Sequence, residues 1–195
     1  MIDLVMLDRD GVINVDRPTS VRNWEEFKFL PFVADAIYSL NQANIPVAII
    51  TNQAVVGRQE ISLEKLNFIH LHMQKSLAEK GAHIDRIFFC TDTTIEPHYR
   101  RKPAPGMLLE ALAHFNARPT YSYMIGDALR DLEAAYSANC PRILVRTGKG
   151  LITEKEGIPE FLKPVLVYDD LLMAVKDLLE KLDDSAKTSY TGKHH

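Results

Sequence analysis

The apolar residues of this chain fall into short, nearly unbroken runs, separated by stretches in which they recur every three or four positions. The runs are Ile2–Leu7, Ile45–Ile50, Ile84–Cys90, Tyr121–Ile125, Arg142–Val145 and Pro164–Tyr168. Apolar runs of this kind, bounded by polar residues, predict buried strands. Between the first two, Val33, Ala36, Ile37 and Leu40 follow the spacing of one buried helix face. Pro31 starts that helix and Asn41–Asn44 ends it. Ser62 and Gly81 suit the start and stop of a long second helix, with Leu63, Leu66, Met73 and Leu77 on its buried face. His70 shares the face by spacing and reads as a satisfied core residue. Pro105-Gly106 opens a helix over Met107–Asn116. The next helix turns Leu129, Leu132 and Tyr136 inward, and a last amphipathic helix spans Leu171–Leu182. Strand, helix and strand in succession make parallel neighbours. The pattern predicts an α/β, single-domain, three-layer Rossmann-like fold with a mainly parallel central sheet. It covers residues 1–182, and 183–195 form a polar tail.

Composition excludes several classes. The 195 residues are 46% hydrophobic and 25% charged, and the net charge of -3 comes from acids and bases mixed along the chain. There is no basic stripe, and so no electrostatic footprint for nucleic acid. The apolar runs are far short of a membrane span. The N-terminus enters a strand at once, with Asp3 inside it, which is not the pattern of a signal peptide. Two cysteines, Cys90 and Cys140, without a CxxC pair fit a reducing cytoplasm. The expectation is a cytoplasmic monomer with neither a nucleic-acid nor a membrane partner.

The candidate chemistry lies where the runs end. Parallel strands bring their C-terminal ends to one edge of the sheet, where such folds bind ligands. Four strand ends or adjoining loops there carry polar groups: Asp8 with Asp10, Thr51 with Asn52, Lys102, and Asp127 with Asp131. Asp8 can act as a nucleophile. Asp8 and Asp127 can hold Mg²⁺, which favours carboxylates together with substrate phosphate. Thr51 and Lys102 can hold phosphate oxygens. Asp10 is free for acid and base work.

The segments DRDGV, TNQ, RKP and GDALRD, in that order, resemble the four motifs of the haloacid dehalogenase superfamily of phosphatases, in its histidinol-phosphatase-like branch. The likeness runs from about Met1 to Gly150. It implies that Asp8 forms an aspartyl-phosphate and that Asp10 protonates the leaving oxygen, then activates water. It also implies that the Asp10 backbone carbonyl and Asp127 complete the Mg²⁺ site and that Thr51 and Lys102 hold the transferring phosphate. Asn52, Arg58 and Arg101 would contact the rest of a small sugar phosphate, with Asp131 in support. A heptose 1,7-bisphosphate is the substrate first expected, and histidinol phosphate the alternative. A nucleic-acid 3′-phosphatase and a non-catalytic phosphate-binding module are the remaining readings.

Two departures matter. Relatives in this branch commonly carry a zinc loop before RKP. Here the stretch CTDTTIEPHYRRKP offers only Cys90, Asp92, Glu96 and His98, so a structural zinc is not expected. The loop after TNQ reads AVVGRQE, without glycines on both sides of Arg58. The spacing between motifs leaves no room for a cap domain. The site should therefore be open, walled by residues 14–30, 54–61 and 91–101.

Overall fold

The computed structural model describes residues 1–95 and 98–191, and for 183 and 185–191 the backbone alone. Glu96 lies outside the described residues. The elements in order are β1 (Leu4–Leu7), α1 (Val33–Gln42), β2 (Val47–Asn52), α2 (Ala54–Gly57), α3 (Leu63–Ala78) and β3 (Arg86–Cys90). Then come α4 (Gly106–Phe115), β4 (Ser122–Gly126), α5 (Leu129–Ser137), β5 (Arg142–Val145), α6 (Gly150–Glu156), β6 (Leu166–Tyr168) and α7 (Leu171–Thr191).

All six strands pair in parallel, in the order β3-β2-β1-β4-β5-β6. The chain builds outward from β1 to one side, then returns to build outward on the other. Leu7, at the end of β1, is in register with Ile49 on β2 and with Ile125 on β4. This reversal opens a crevice at the C-terminal end of β1, immediately before Asp8.

Helices cover both faces. Side chains alternate along a strand, so Val5 and Leu7 join Val47, Ile49, Ile125 and the inner faces of α1, α3 and α7 in one core layer. Leu4 and Met6 join Ala48, Ile50 and Met124 under α4 and α5 in the other. Burial on both sides is why these strands read as continuous apolar runs rather than as alternating ones. Among the described residues no further domain is inserted, and none of their helices is long and apolar enough to cross a membrane.

Several elements differ from the sequence reading. Leu63 is exposed, because Ser62 caps the helix and Leu63 is its first residue, ahead of the buried stripe Leu66, Ile69, His70, Met73 and Leu77. Tyr136 is also exposed; it lies edge-on to Phe161 while Asp131, Leu132, Ala134 and Ala135 take the inner face of α5. The stretches around Val55 and Gly150, read as loops, contain the short helices α2 and α6. The final helix runs on to Thr191, through most of the stretch read as a tail.

Candidate active site

The crevice holds every residue that spacing brought to the sheet edge. Asp8 is almost fully buried just past β1. One of its oxygens, Oδ1, accepts from the Arg9 backbone N–H at 2.8 Å and lies 3.0 Å from Lys102 Nζ. The other, Oδ2, has no hydrogen-bond partner among the described residues. Lys102 is itself buried, and its ammonium also donates to the Ile50 carbonyl at 2.7 Å and pairs with Asp131 at 2.6 Å. Asp131 in turn accepts from the Ala128 N–H at the start of α5, at 3.1 Å.

Asp127 sits just past β4 and is fully buried. Its Oδ2 accepts from the Lys149 N–H at 2.8 Å, while its Oδ1 has no hydrogen-bond partner among the described residues. Two glycines make room for it. Gly11 (φ +89°) and Gly148 (φ +56°) are both left-handed, and a Cβ on either would fall about 2 Å from Asp127 Oδ2 (1.9 and 2.2 Å). No residue with a side chain fits so close an approach.

Ligand oxygens of Asp8, Asp127 and Asp131 lie within 4.8 Å of one another. Lys102 and the α5 N-terminus occupy Asp131, which leaves Asp8 Oδ2 and Asp127 Oδ1 as buried oxygens without a hydrogen-bond partner among the described residues. Burial first, then the charge of Asp131, pushes the Asp8 carboxyl above its ordinary value, with Lys102 opposing. Burial first, then the charges of Asp8 and Asp131, does the same to Asp127. Two hard, anionic oxygens left uncompensated suit a hard divalent cation such as Mg²⁺.

Asp10 points into a separate cradle. It receives Arg9 Nη2 at 3.0 and 3.1 Å, Asn14 Nδ2 at 2.9 Å and Gln53 Nε2 at 2.8 Å. Burial raises its pKa, but the Arg9 charge and these hydrogen bonds outweigh that and hold it below the ordinary carboxylate value. Arg9 is fully buried, lies over the Phe27 ring, and donates to Gln53 Oε1 at 3.1 Å. Its Nη1 is 3.1 Å from His70 Nε2. Burial, then the Arg9 charge, pushes the His70 pKa down to about 3. The imidazole is therefore neutral and accepts from the guanidinium, which can only donate. His70 is the satisfied core residue expected from spacing, and its partner is the buried charge behind Asp10.

Thr51 is buried at the end of β2, and its hydroxyl accepts from Gln53 Nε2 at 2.8 Å. The Asn52 amide grips the Lys102 backbone, donating to its carbonyl at 2.9 Å and accepting from its N–H at 3.1 Å. Arg101 donates to the Asp92 carbonyl at 2.7 Å, so its charge stays available at the cleft. Arg58 also lines the cleft, but is paired with Glu60 at 2.5 Å. Cys90 is a buried strand residue. The cleft has a volume of about 710 Å³, and its walls include Arg17, Leu30, Arg58 and Arg101 from the expected loops. They also include Arg130 and the Gly148-Lys149 turn, which sequence reasoning did not nominate.

The chain is similar to known proteins over most of its length. The HAD-hydrolase-like family model matches residues 99–174. The D-glycero-β-D-manno-heptose-1,7-bisphosphate 7-phosphatase of Neisseria meningitidis serogroup A is 37% identical over 169 residues, covering 87% of this chain and 90% of that one. The enzyme of the same name from Escherichia coli K12 is 33% identical, with 90% and 94% covered. The crystal structure of the D,D-heptose 1,7-bisphosphate phosphatase from Bordetella bronchiseptica, complexed with magnesium and phosphate, matches with a TM-score of 0.87 at 36% identity, over 93% of this chain and 99% of that one. With likeness at this level over nearly its whole length, and four motifs gathered around one crevice, the chain belongs to the haloacid dehalogenase superfamily of hydrolases and is a phosphoric monoester hydrolase.

Proposed function

We propose that the protein is a Mg²⁺-dependent phosphatase that works through an aspartyl-phosphate and removes the 7-phosphate of D-glycero-D-manno-heptose 1,7-bisphosphate. The observation that carries the chemistry is the divided state of Asp8. One oxygen is held by Lys102, and the other is buried and bare among the described residues, like Oδ1 of Asp127, whose carboxylate lies within 4.8 Å. Asp8 and Asp127, with the Asp10 backbone carbonyl, would hold Mg²⁺. Bound there, the ion would neutralise carboxylate and phosphate charge and let the two anions approach.

In the first half of the reaction an Asp8 oxygen attacks phosphorus. The bond from phosphorus to the sugar oxygen breaks, and Asp10 gives that oxygen a proton. In the second half a water oxygen attacks phosphorus, its proton passes to Asp10, and the bond to Asp8 breaks. The cradle around Asp10 favours its ionised form, which suits the second half. A phosphate dianion brought alongside raises the proton affinity of Asp10 for the first half. Thr51 and Lys102 hold the transferring oxygens, and Asp131 holds Lys102. Asn52 fixes the Lys102 backbone, and Arg58 and Arg101 face the rest of the substrate.

Charge at the cleft favours a bisphosphate over histidinol phosphate. Among the described residues Arg101 hydrogen-bonds only to a carbonyl, so its charge can meet a second phosphate; it would repel the ammonium of histidinol phosphate. The names of the relatives support the same substrate. We place the activity in residues 1–182 and in the cytoplasm, where two unpaired buried cysteines persist, supplying heptose for lipopolysaccharide core synthesis. The test is a phosphate-release screen with Mg²⁺ over the heptose bisphosphate, histidinol phosphate and 3′-phosphorylated DNA, with Asp8→Asn as control. The heptose bisphosphate should be the best substrate and the control inactive. A faster rate on histidinol phosphate or DNA would overturn the substrate. Near-normal turnover by Asp8→Asn would overturn the covalent route.

A further inference from the structure

Arg130 has no part in the roles set out above, yet its position needs a reason. It is the second residue of α5, in the first turn of that helix. The N-terminal end of a helix carries partial positive charge, so a cation there is opposed by the helix that bears it. Its Nη2 stops 4.0 Å from Asp8 Oδ2, beyond hydrogen-bond distance. Its Nε is buried without a partner, and the Asp8 oxygen it faces is also without one. Among the described residues it makes no hydrogen bond, while its guanidinium lines the cleft over the nucleophile. The carboxylates of Asp131, Asp8 and Asp127 hold its charge in place against burial and the helix end, and its unused donors stand beside the nucleophile at the cleft wall, placed for something that arrives.

Charge says what arrives. Asp10 is already neutralised by Arg9. Asp8, Asp127 and Asp131 carry three negative charges, and Lys102 with one divalent cation would balance them. A phosphate monoester would bring about two more negative charges at neutral pH. Lys102 is already shared between two carboxylates and a carbonyl, and Thr51, whose hydroxyl accepts from Gln53 and can still donate to phosphate, brings no charge. Arg130 is the cation beside Asp8 whose donors are still free. A planar guanidinium matches phosphate oxygens bidentately, which a lysine cannot do.

We propose that Arg130 is a further catalytic residue, one that grips the non-bridging oxygens of the phosphoryl group transferred to and from Asp8. This rests on the reading of Asp8 as the nucleophile. Removing a preorganised donor to a developing oxyanion usually costs about a hundredfold or more in rate. The test compares wild type, Arg130→Gln and Arg130→Lys by two readouts. The first is binding of inorganic phosphate, the reaction product, to the Mg²⁺-loaded protein by calorimetry. The second is steady-state phosphate release from the best substrate of the screen. Arg130→Gln should weaken phosphate binding about tenfold and lower kcat about a hundredfold, with Arg130→Lys between it and wild type in both. Thermal unfolding should find all three folded. Phosphate affinity and kcat within twofold of wild type in Arg130→Gln would overturn the proposal, as would lysine restoring full activity, since a point charge would then suffice. A wild type that binds phosphate through Arg130 but releases none from any substrate would refute the phosphatase reading and leave the phosphate grip standing.

Discussion

Replacing Lys102 by methionine keeps the stem of the side chain and removes its charge. Two buried carboxylates, Asp8 and Asp131, then lose the cation that stands 3.0 and 2.6 Å from them. Breaking a buried pair by deleting one partner usually costs about 3–5 kcal/mol. Protonation limits the loss. A carboxyl that is ionised in the unfolded chain, with an ordinary value of 3.8, can take up a proton in the fold instead. Doing so at pH 7 costs about 4 kcal/mol, at roughly 1.4 kcal/mol per pH unit above that value. The expected loss for Lys102→Met is therefore about 3–4 kcal/mol at pH 7. Its pH dependence has a definite sign. A carboxyl whose folded pKa is raised contributes most below its unfolded value and loses that contribution as pH rises. The gap to wild type should therefore shrink to about 1.5 kcal/mol at pH 5. Urea unfolding at the two pH values, in metal-free buffer, measures it. At about 2–4 °C per kcal/mol for a domain of this size, the midpoint should drop by about 6–16 °C at pH 7. A loss below about 1 kcal/mol at pH 7, or one that does not change with pH, would refute the assignment of Lys102 as the counterion of both carboxylates.

Four further outcomes follow from the same geometry. Gly11→Ala puts a Cβ 1.9 Å from Asp127 Oδ2 on a left-handed backbone. It should weaken Mg²⁺ about tenfold or more in a metal titration; unchanged affinity would show that Asp127 is not a ligand. EDTA should abolish activity and Mg²⁺ restore it. Because burial and mutual repulsion raise the Asp8 and Asp127 carboxyls, Mg²⁺ must displace protons, so its affinity should climb with pH. Calorimetry in buffers of different ionisation enthalpy would detect those protons, and a pH-independent affinity would count against the site. Elemental analysis of protein purified without chelators should find no zinc; one zinc per chain, lost in Cys90→Ser, would reverse that reading.

The amino-acid sequence determined the order of elements, the parallel sheet and the four strand ends that meet at the crevice. Those features are local. A run such as Val47–Asn52 reads as a strand from its own residues, and a strand end points its polar group to one edge whatever its neighbours are. The tertiary structure decided what stands behind and opposite those groups. Arg9 lies between two nominated aspartates, and nothing in DRD says that its guanidinium turns into the core. The contact that shows it is with His70, 61 positions away in sequence. Asn52 carries the amide expected at the cleft, but its hydrogen bonds run to the Lys102 backbone, 50 positions on. Nothing in the spacing nominates Arg130, and only the meeting of β1 with β4 brings the start of α5 beside Asp8. Exposure misled in the same way at Leu63 and Tyr136, where helical spacing gives a face but not which neighbour covers it. Periodicity records whether a side chain prefers water. The partner of a buried charge is set by folding across long sequence separations, and short-range spacing carries no record of it.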